Sequence, residues 1–300
     1  MERKVAIWGI GKDYELLRNI LNNHGGNVSL EIIALISSKK ESFNTMDGID
    51  VIQPSEIKNY SYDYIIIANE LRYAEILNQA LKLDIQRKNI LYSKVYKYPL
   101  FDVQRYFNIL EGQISIISED CWAGILYSSI GMEFLSPFIN TAINREGYFD
   151  LITNPRKFLT QELDIVENGN IHTFPMGSLD GIDIGFYHYA SGIEAKLAWE
   201  RRMIRFNYNN YFIKMTLQNK EEAIRFSNLP IKNKIGLYYE DLQLPSIAYM
   251  KEWEDESIRK KYSYQFSTYV RANIDISAPN SKAYDILKIL NNEDNYLRKQ

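Results

Sequence analysis

Lys4 to Asn22, KVAIWGIGKDYELLRNILN, decides the fold of the first third of the chain. Val5 to Ile10 reads as a short apolar strand. Gly9-Ile10-Gly11 turns the chain, Asp13 is placed to cap a helix, and Leu16, Leu17, Ile20 and Leu21 recur at helical spacing until Gly25-Gly26 end it. The alternation continues with strands at Glu31 to Ser37, Val51-Ile52, Tyr64 to Ala68 and Ile90-Leu91, a helical turn opening at Ser55 after Pro54, and a helix from Leu71 to Leu83. Strands alternating with helices predict an α/β fold with a parallel sheet and right-handed crossovers. The pattern breaks around Lys97 to Leu100. The expected organisation is therefore a Rossmann-like parallel-sheet domain over residues 1–97 and a second, larger mixed α/β domain over residues 98–300.

In the second domain a linking helix is expected from Val103 to Leu110, and strands at Ile114 to Ile117, Gly181 to Tyr189, Tyr211 to Thr216, Lys234 to Tyr239 and Tyr269 to Ile276. Helices are expected at Ser136 to Arg145, Pro155 to Gln161, Ser191 to Arg205, Lys220 to Ser227 and Ser281 to Asn292. Ser191-Gly192-Ile193-Glu194 is a capping-box pattern that fixes the start of one of them.

Composition sets the outer limits. An apolar share of 46 % and a charged share of 24 % describe a globular chain rather than a disordered one. A net charge of −3 gives no general reason to bind nucleic acid or an anionic membrane. The single cysteine, Cys121, excludes an internal disulfide and a multi-cysteine zinc site, and suits a reducing cytoplasm. No apolar run reaches the length of a membrane-spanning helix, and the charged start with its short apolar run is not a secretory leader. A cytoplasmic protein is expected.

Gly9, Gly11 and Lys12 sit where a Rossmann fold places its phosphate-binding turn. Glycine there lets the backbone approach a pyrophosphate, and the helix N-terminus offers free N–H groups. Tyr14 replaces the third glycine of the full pattern, and the second strand ends Ile36-Ser37-Ser38-Lys39-Lys40 without the acid that holds ribose hydroxyls. Three readings stay open: a tight turn and nothing more, a site for a nucleotide, nucleotide-sugar or other phosphorylated ligand, and, last, a nicotinamide site. As a whole, Lys4 to Val95, with Tyr62-Asp63-Tyr64-Ile65-Ile66-Ile67-Ala68, resembles small Rossmann-like modules of bacterial polysaccharide and nucleotide-sugar proteins.

Site-capable residues are densest between Phe174 and Lys214. Alternation puts Ile182, Ile184, Phe186 and His188 on one strand face and Asp183 on the other. His188 is a candidate general base near a strand end, or a buried, hydrogen-bonded histidine. Asp183 is a candidate acid–base group. Cys121, at an expected strand-to-helix junction, is a nucleophile or a small buried hydrophobe, and its neighbours Glu119 and Asp120 disfavour the thiolate. On the helix, Trp199 and Arg202 lie three apart, while Arg201 and Arg205 lie four apart and share a face. These arginines clamp a phosphate or carboxylate, or form a solvated face. No spacing matches a metal motif, so no metal site is expected.

The stretches Ile116-Ile117-Ser118-Glu119-Asp120-Cys121-Trp122-Ala123-Gly124, Ser136-Pro137-Phe138, Phe174-Pro175-Met176-Gly177, Asp183-Ile184 through His188-Tyr189, Glu194-Ala195-Lys196, Trp199-Glu200-Arg201-Arg202 to Lys214-Met215, and Asn228-Leu229-Pro230 resemble an uncharacterised family of bacterial exopolysaccharide-biosynthesis proteins. Asp120 departs from the asparagine common at its place. The resemblance implies a part in exopolysaccharide or capsule assembly and brings no mechanism. The leading expectation is an enzyme that transfers or modifies a group on a sugar or nucleotide-sugar, with Cys121, His188, Asp183 and Arg202 in one cleft. Alternatives are a non-catalytic nucleotide-sugar-binding or scaffolding protein and an acyltransferase using a thioester donor.

Overall fold

The computed structural model describes residues 3–23, 30–97, 102–166, 173–257, 259 and 283–297. The chain divides into two compact units, Met1–Gln104 with Ser129–Gly131, and Arg105–Ser128 with Met132–Gln300.

The N-terminal unit is built on six strands: β1 (Arg3–Trp8), β2 (Leu30–Ile36), β3 (Thr45–Met46), β4 (Ile49–Ile52), β5 (Tyr64–Ile67) and β6 (Ile90–Tyr92). Their order is β3-β4-β2-β1-β5-β6, and every pair is parallel except the β3–β4 hairpin. Helices α1 (Lys12–Asn23) and α2 (Tyr73–Lys82) provide crossovers. Val5 to Trp8 and Tyr64 to Ile67 are buried throughout, as expected of strands covered on both faces. Gly25 and Gly26, expected to stop α1, lie outside the described residues.

Gly9 is required by its surroundings. Its φ is +114°, and a Cβ there would stand 2.5 Å from the carbonyl oxygen of Ala68. Its N–H donates to Ile36 O at 2.9 Å, and Ala68 N–H donates to Trp8 O at 2.8 Å, so β1, β2 and β5 hold the turn from both sides. Gly11 differs, because a Cβ there would meet nothing within 4 Å. Tyr14 fills the helix–sheet interface where a third glycine would allow closer packing. It is fully buried, and its hydroxyl donates to Asp47 Oδ2 at 2.8 Å, with Arg18 paired to the same carboxylate. Burial and then Asp47 push the Tyr14 phenol up to about 12.

Helix α3 (Val103–Gly112) leads the chain into the second unit, where β7 (Ser115–Ser118) is followed by α4 (Trp122–Ser129), whose last residue is counted with the first unit. The chain then leaves for an antiparallel sheet of β8 (Thr141–Ile143), β9 (Asp164–Val166), β10 (Met176–Leu179) and β11 (Ile182–Phe186), ordered β8-β11-β10-β9, with α5 (Arg145–Thr153) and α6 (Pro155–Leu159) between β8 and β9. Helix α7 (Gly192–Met203) returns it to β12 (Tyr211–Thr216), followed by α8 (Lys220–Ser227), β13 (Lys234–Tyr238), β14 (Ile247–Tyr249) and α9 (Ile286–Leu290). Strands β14-β13-β12-β7 form a second, wholly parallel sheet. Its core joins Ile213, Met215, Phe226 and Tyr238 to Phe149, Ile184, Phe186 and Trp199.

Several expectations need correction. No helix spans Ser136 to Arg145. Asn140 takes a left-handed φ of 58°, β8 follows, and Asn144 starts α5 by accepting from Gly147 N–H at 2.8 Å. Strand β11 ends at Phe186, because His188 sits in a turn with φ of 66°. That breaks the alternation: Ile182, Ile184 and Phe186 face the core, Asp183 faces solvent, and His188 is exposed rather than aligned with the apolar residues. The strand expected at Tyr269 to Ile276 lies outside the described residues.

Helices α7 and α8 start alike. Ser191 Oγ accepts from Glu194 N–H at 3.2 Å while the Glu194 carboxylate accepts from Ala190 N–H at 2.9 Å. Asn219 and Glu222 repeat the pattern, with Glu222 accepting from Gln218 N–H at 2.8 Å. In both, the glutamate reaches one residue further back than a capping box requires.

Candidate functional site

In open α/β sheets the room for a ligand lies beyond the carboxyl ends of the parallel strands. In the second unit Glu119, Asp120 and Cys121 occupy that place, turning the chain from β7 into α4. Lys214 projects from the adjacent β12 with its side chain only 2 % exposed. Its Nζ lies 2.6 Å from Asp120 Oδ2, 3.0 Å from Glu119 Oε1 and 2.8 Å from Thr216 Oγ1. Three acceptors thus match the three protons of the ammonium. Glu119 Oε1 also accepts from Thr216 N–H at 2.6 Å, and Asp120 Oδ1 accepts from Trp122 N–H at 2.8 Å, which ties the cluster to the first turn of α4.

Two carboxyl groups share one cation. Burial, and then the neighbouring Asp120, raise the Glu119 carboxyl above its ordinary 4.5 against the pull of Lys214 and Thr216 N–H. Burial works against the Lys214 charge, but Asp120 and Glu119 outweigh it and hold the ammonium above its ordinary range. Glu119 Oε2 is buried and has no hydrogen-bond partner. One oxygen of Glu119 is therefore anchored, while the other is unoccupied on a carboxyl disposed to hold a proton.

The strands beneath the cluster are tied by Tyr148 of α5. Its hydroxyl reaches Lys214 O at 2.7 Å and Ile117 O at 3.1 Å, bridging β12 and β7. Replacing Tyr148 with phenylalanine removes both contacts and should cost about 0.5–1.5 kcal/mol in urea unfolding. An unchanged midpoint would show that the bridge contributes nothing. Beside it, Arg145 donates to Thr216 O at 2.9 Å and forms a two-pronged pair with Glu222. Burial raises the Glu222 pKa, but Arg145 and the Gln218 N–H outweigh it and keep the carboxylate ionised below its ordinary range.

The residues singled out from sequence fall into different settings. Cys121 is buried beside the cluster, and burial, then Asp120, push its thiol up to about 11. At neutral pH it is the protonated thiol, a poor nucleophile. Asp183 and His188 are exposed, and no hydrogen bond joins any two of Cys121, Asp183, His188 and Arg202. Trp199 is buried edge-on against Phe138 and Phe186, with ring centres at 5.3 and 6.0 Å. Arg201 and Arg205 do not share a setting: Arg201 is exposed, whereas Arg205 follows the end of α7 and pairs with Glu133. Arg202 is the inward arginine, bonded to the Tyr189 hydroxyl. In the N-terminal unit Gly11 and Lys12 are exposed at the start of α1, next to the half-buried Gly9. His24 and His172 lie outside the described residues. Among the described residues no group of three or more His, Cys, Asp or Glu is arranged to hold a metal ion, and no helix is long and apolar enough to cross a membrane.

Sequence reasoning passed over Lys214. The available signal was a single lysine inside Tyr211-Phe212-Ile213-Lys214-Met215-Thr216, a strand otherwise suited to burial. A lysine in such a place needs carboxylate partners.

The fold defines a two-unit α/β protein with a Rossmann-like N-terminal sheet and a polar cluster at the carboxyl edge of a second parallel sheet. Residues 92–277 match the family described as a domain of unknown function, DUF1919, and the chain belongs to that family. Residues 1–91 match the C2185-like N-terminal family. An uncharacterised protein of Haemophilus influenzae is 28 % identical over 148 residues, which cover 48 % of this chain and 71 % of that protein. Among solved structures, UDP-D-quinovosamine 4-dehydrogenase from Vibrio fischeri is similar at 22 % identity over 38 % of this chain and 88 % of its own, with a TM-score of 0.25. At that TM-score no property of the dehydrogenase transfers to this chain.

Proposed function

We propose that the chain is a group-transfer enzyme of surface-polysaccharide assembly acting on a sugar or nucleotide-sugar, with Glu119 as the proton carrier. The observation that carries this reading is the free, buried Oε2 of a carboxyl whose other oxygen is fixed by Lys214 and Thr216 N–H. A raised carboxyl pKa brings a group nearer the neutral range in which acid–base catalysis works best. In this reading Glu119 takes the proton of an acceptor hydroxyl as it attacks, or returns one to the leaving oxygen. Lys214 and Asp120 orient it. The sugar and polysaccharide assignment rests on the sequence resemblance.

Cys121 serves here as a neutral wall of the site, and Glu119, rather than His188 or Asp183, carries the proton. In the N-terminal unit taken by itself, the exposed Gly11 and Lys12 at the start of α1 are proposed contacts for a nucleotide or nucleotide-sugar phosphate, independently of Glu119. A second reading, a non-catalytic binding protein, is favoured by Tyr14, whose buried ring closes the space that the dinucleotide pattern leaves to glycine.

The test is incubation of the full chain with nucleotide-sugars and mixed sugar acceptors, followed by mass spectrometry. Glu119→Gln should lower product formation about a hundredfold or more while ligand binding and melting stay near wild type. Equal turnover by the variant would overturn the assignment of Glu119. Binding without turnover by the wild type would favour the second reading.

A further inference from the structure

Among the described residues Arg202 is the arginine that is buried, with 8 % of its surface exposed. Arg18, Arg72, Arg105, Arg145, Arg205 and Arg225 each pair with a carboxylate: Asp47, Glu75, Glu293, Glu222, Glu133 and Glu146 in turn. Arg202, more buried than any of them, pairs with none. Its NH1 donates to the Tyr189 hydroxyl, which in turn donates to Ile139 O at 3.0 Å. Its guanidinium carbon lies 5.2 Å from the centre of the Phe134 ring and 5.9 Å from that of Tyr189. Its Nε is buried without an acceptor.

A guanidinium cannot shed its charge in a protein, so burial leaves this one as a cation without an anion. Aromatic faces offset part of that deficit, but they accept none of the in-plane N–H protons. A fork of such protons beside aromatic rings is the donor set that planar recognition of carboxylate or phosphate needs. Its neighbours lie along α4, the Phe134 ring centre 6.0 Å from that of Tyr127. Tyr189 is bonded to Ile139, and Ile139 lies against Gly124 in the first turn of α4, with its Cγ2 3.1 Å from where a Cβ on that glycine would stand.

We propose that Arg202 receives an oxyanion, a carboxylate or a phosphate, of the chain's sugar ligand on the N–H groups that Tyr189 leaves free. The proposal rests on the preceding reading only in taking the ligand to be a sugar, and it does not need Glu119 to carry a proton. It makes the substrate an acidic or phosphorylated sugar. Neutral sugars lack the group that completes the buried charge.

Calorimetric titration and thermal melting of the full chain with inorganic phosphate, glucuronate and glucose test this. Phosphate or glucuronate should bind and raise the melting temperature, and glucose should do neither. A preference for phosphate identifies a phosphorylated ligand, and a preference for glucuronate identifies a uronate. Arg202→Lys keeps the charge but loses the fork, and should weaken anion binding about tenfold or more, whereas Arg225→Lys should leave it unchanged. Should Arg202→Lys not fold, phenylglyoxal modification of the wild type gives the same answer. The bound anion, but not glucose, should slow labelling of Arg202 and spare that of Arg225. Absence of anion binding by the wild type, or anion binding that survives Arg202→Lys or leaves Arg202 labelling unaltered, overturns the proposal. Glu119→Gln should still bind the anion, so loss of turnover there with anion binding intact separates the two readings.

Discussion

Replacing Lys214 with methionine should destabilise the second unit by about 3–5 kcal/mol at pH 8, the range expected when one partner of a buried ionic cluster is removed. The loss has two parts. Asp120 and Glu119, with side chains only 4 % and 12 % exposed, lose the cation that both contact, and their like charges then face each other in a medium of low dielectric. Acid should relieve the defect. A carboxyl whose folded pKa is raised binds more protons folded than unfolded between its ordinary value and the raised one. Stability therefore falls as pH rises through that window and recovers as pH falls toward about 4.5, the ordinary value for Glu119. Without Lys214 the Glu119 carboxyl loses the charge that pulls its pKa down, so the variant gains more from acid than the wild type does. Urea unfolding at pH 8 and pH 5 should show the gap between the two proteins narrowing at pH 5. A gap that stays constant or widens would mean that the carboxyl groups are not what Lys214 compensates.

The second large effect is expected at Gly9. Alanine there meets two penalties: a left-handed backbone that L-residues rarely adopt, and a Cβ 2.5 Å from the carbonyl oxygen of Ala68, a residue tied to β1 through its own N–H. Strain at such a position costs about 1–3 kcal/mol, and overpacking adds about the same, so a loss of about 2–6 kcal/mol is expected for Gly9→Ala. Gly11→Ala is the companion measurement. With open space around it, the change should leave the denaturation midpoint within about 0.5 kcal/mol of wild type, as for ordinary surface substitutions. Equal tolerance of the two substitutions would refute the distinction. If it holds, the sheet explains Gly9, and the fold does not require glycine at position 11.

What could be read from sequence follows the physics of each segment. Strands such as Val5-Ala6-Ile7-Trp8 and Tyr64-Ile65-Ile66-Ile67 are buried on both faces and announce themselves as continuous apolar runs between helical periods. The antiparallel sheet of the second unit has strands as short as Thr141-Ala142-Ile143 and Asp164-Ile165-Val166, too brief for an alternating pattern to register. Backbone conformation also overrode side-chain pattern. A helix is expected across Ser136 to Arg145, but Pro137 and the left-handed Asn140 direct the chain into β8. Parity puts His188 on a strand face, and its own left-handed φ removes it from that face. At the site, Glu119, Asp120 and Cys121 were visible as a group, whereas the partner that gives the two acids their character lies 94 and 95 residues away and is joined to them only by strand pairing.

The detour between β7 and β12 sets a timetable for the newly made chain. At a synthesis rate of about 5–20 residues per second, the 95 residues from Glu119 to Lys214 keep β7 without its sheet neighbour for roughly 5–20 s. During that wait Ser115-Ile116-Ile117-Ser118 is an unpaired apolar edge, the kind of segment that joins other chains. Glu119 and Asp120 flank it while still hydrated and uncompensated, and charges in that position keep such an edge from joining another chain. The same two carboxyl groups that the folded protein must neutralise thus act first as guards against aggregation, and Lys214 ends that duty when β12 arrives.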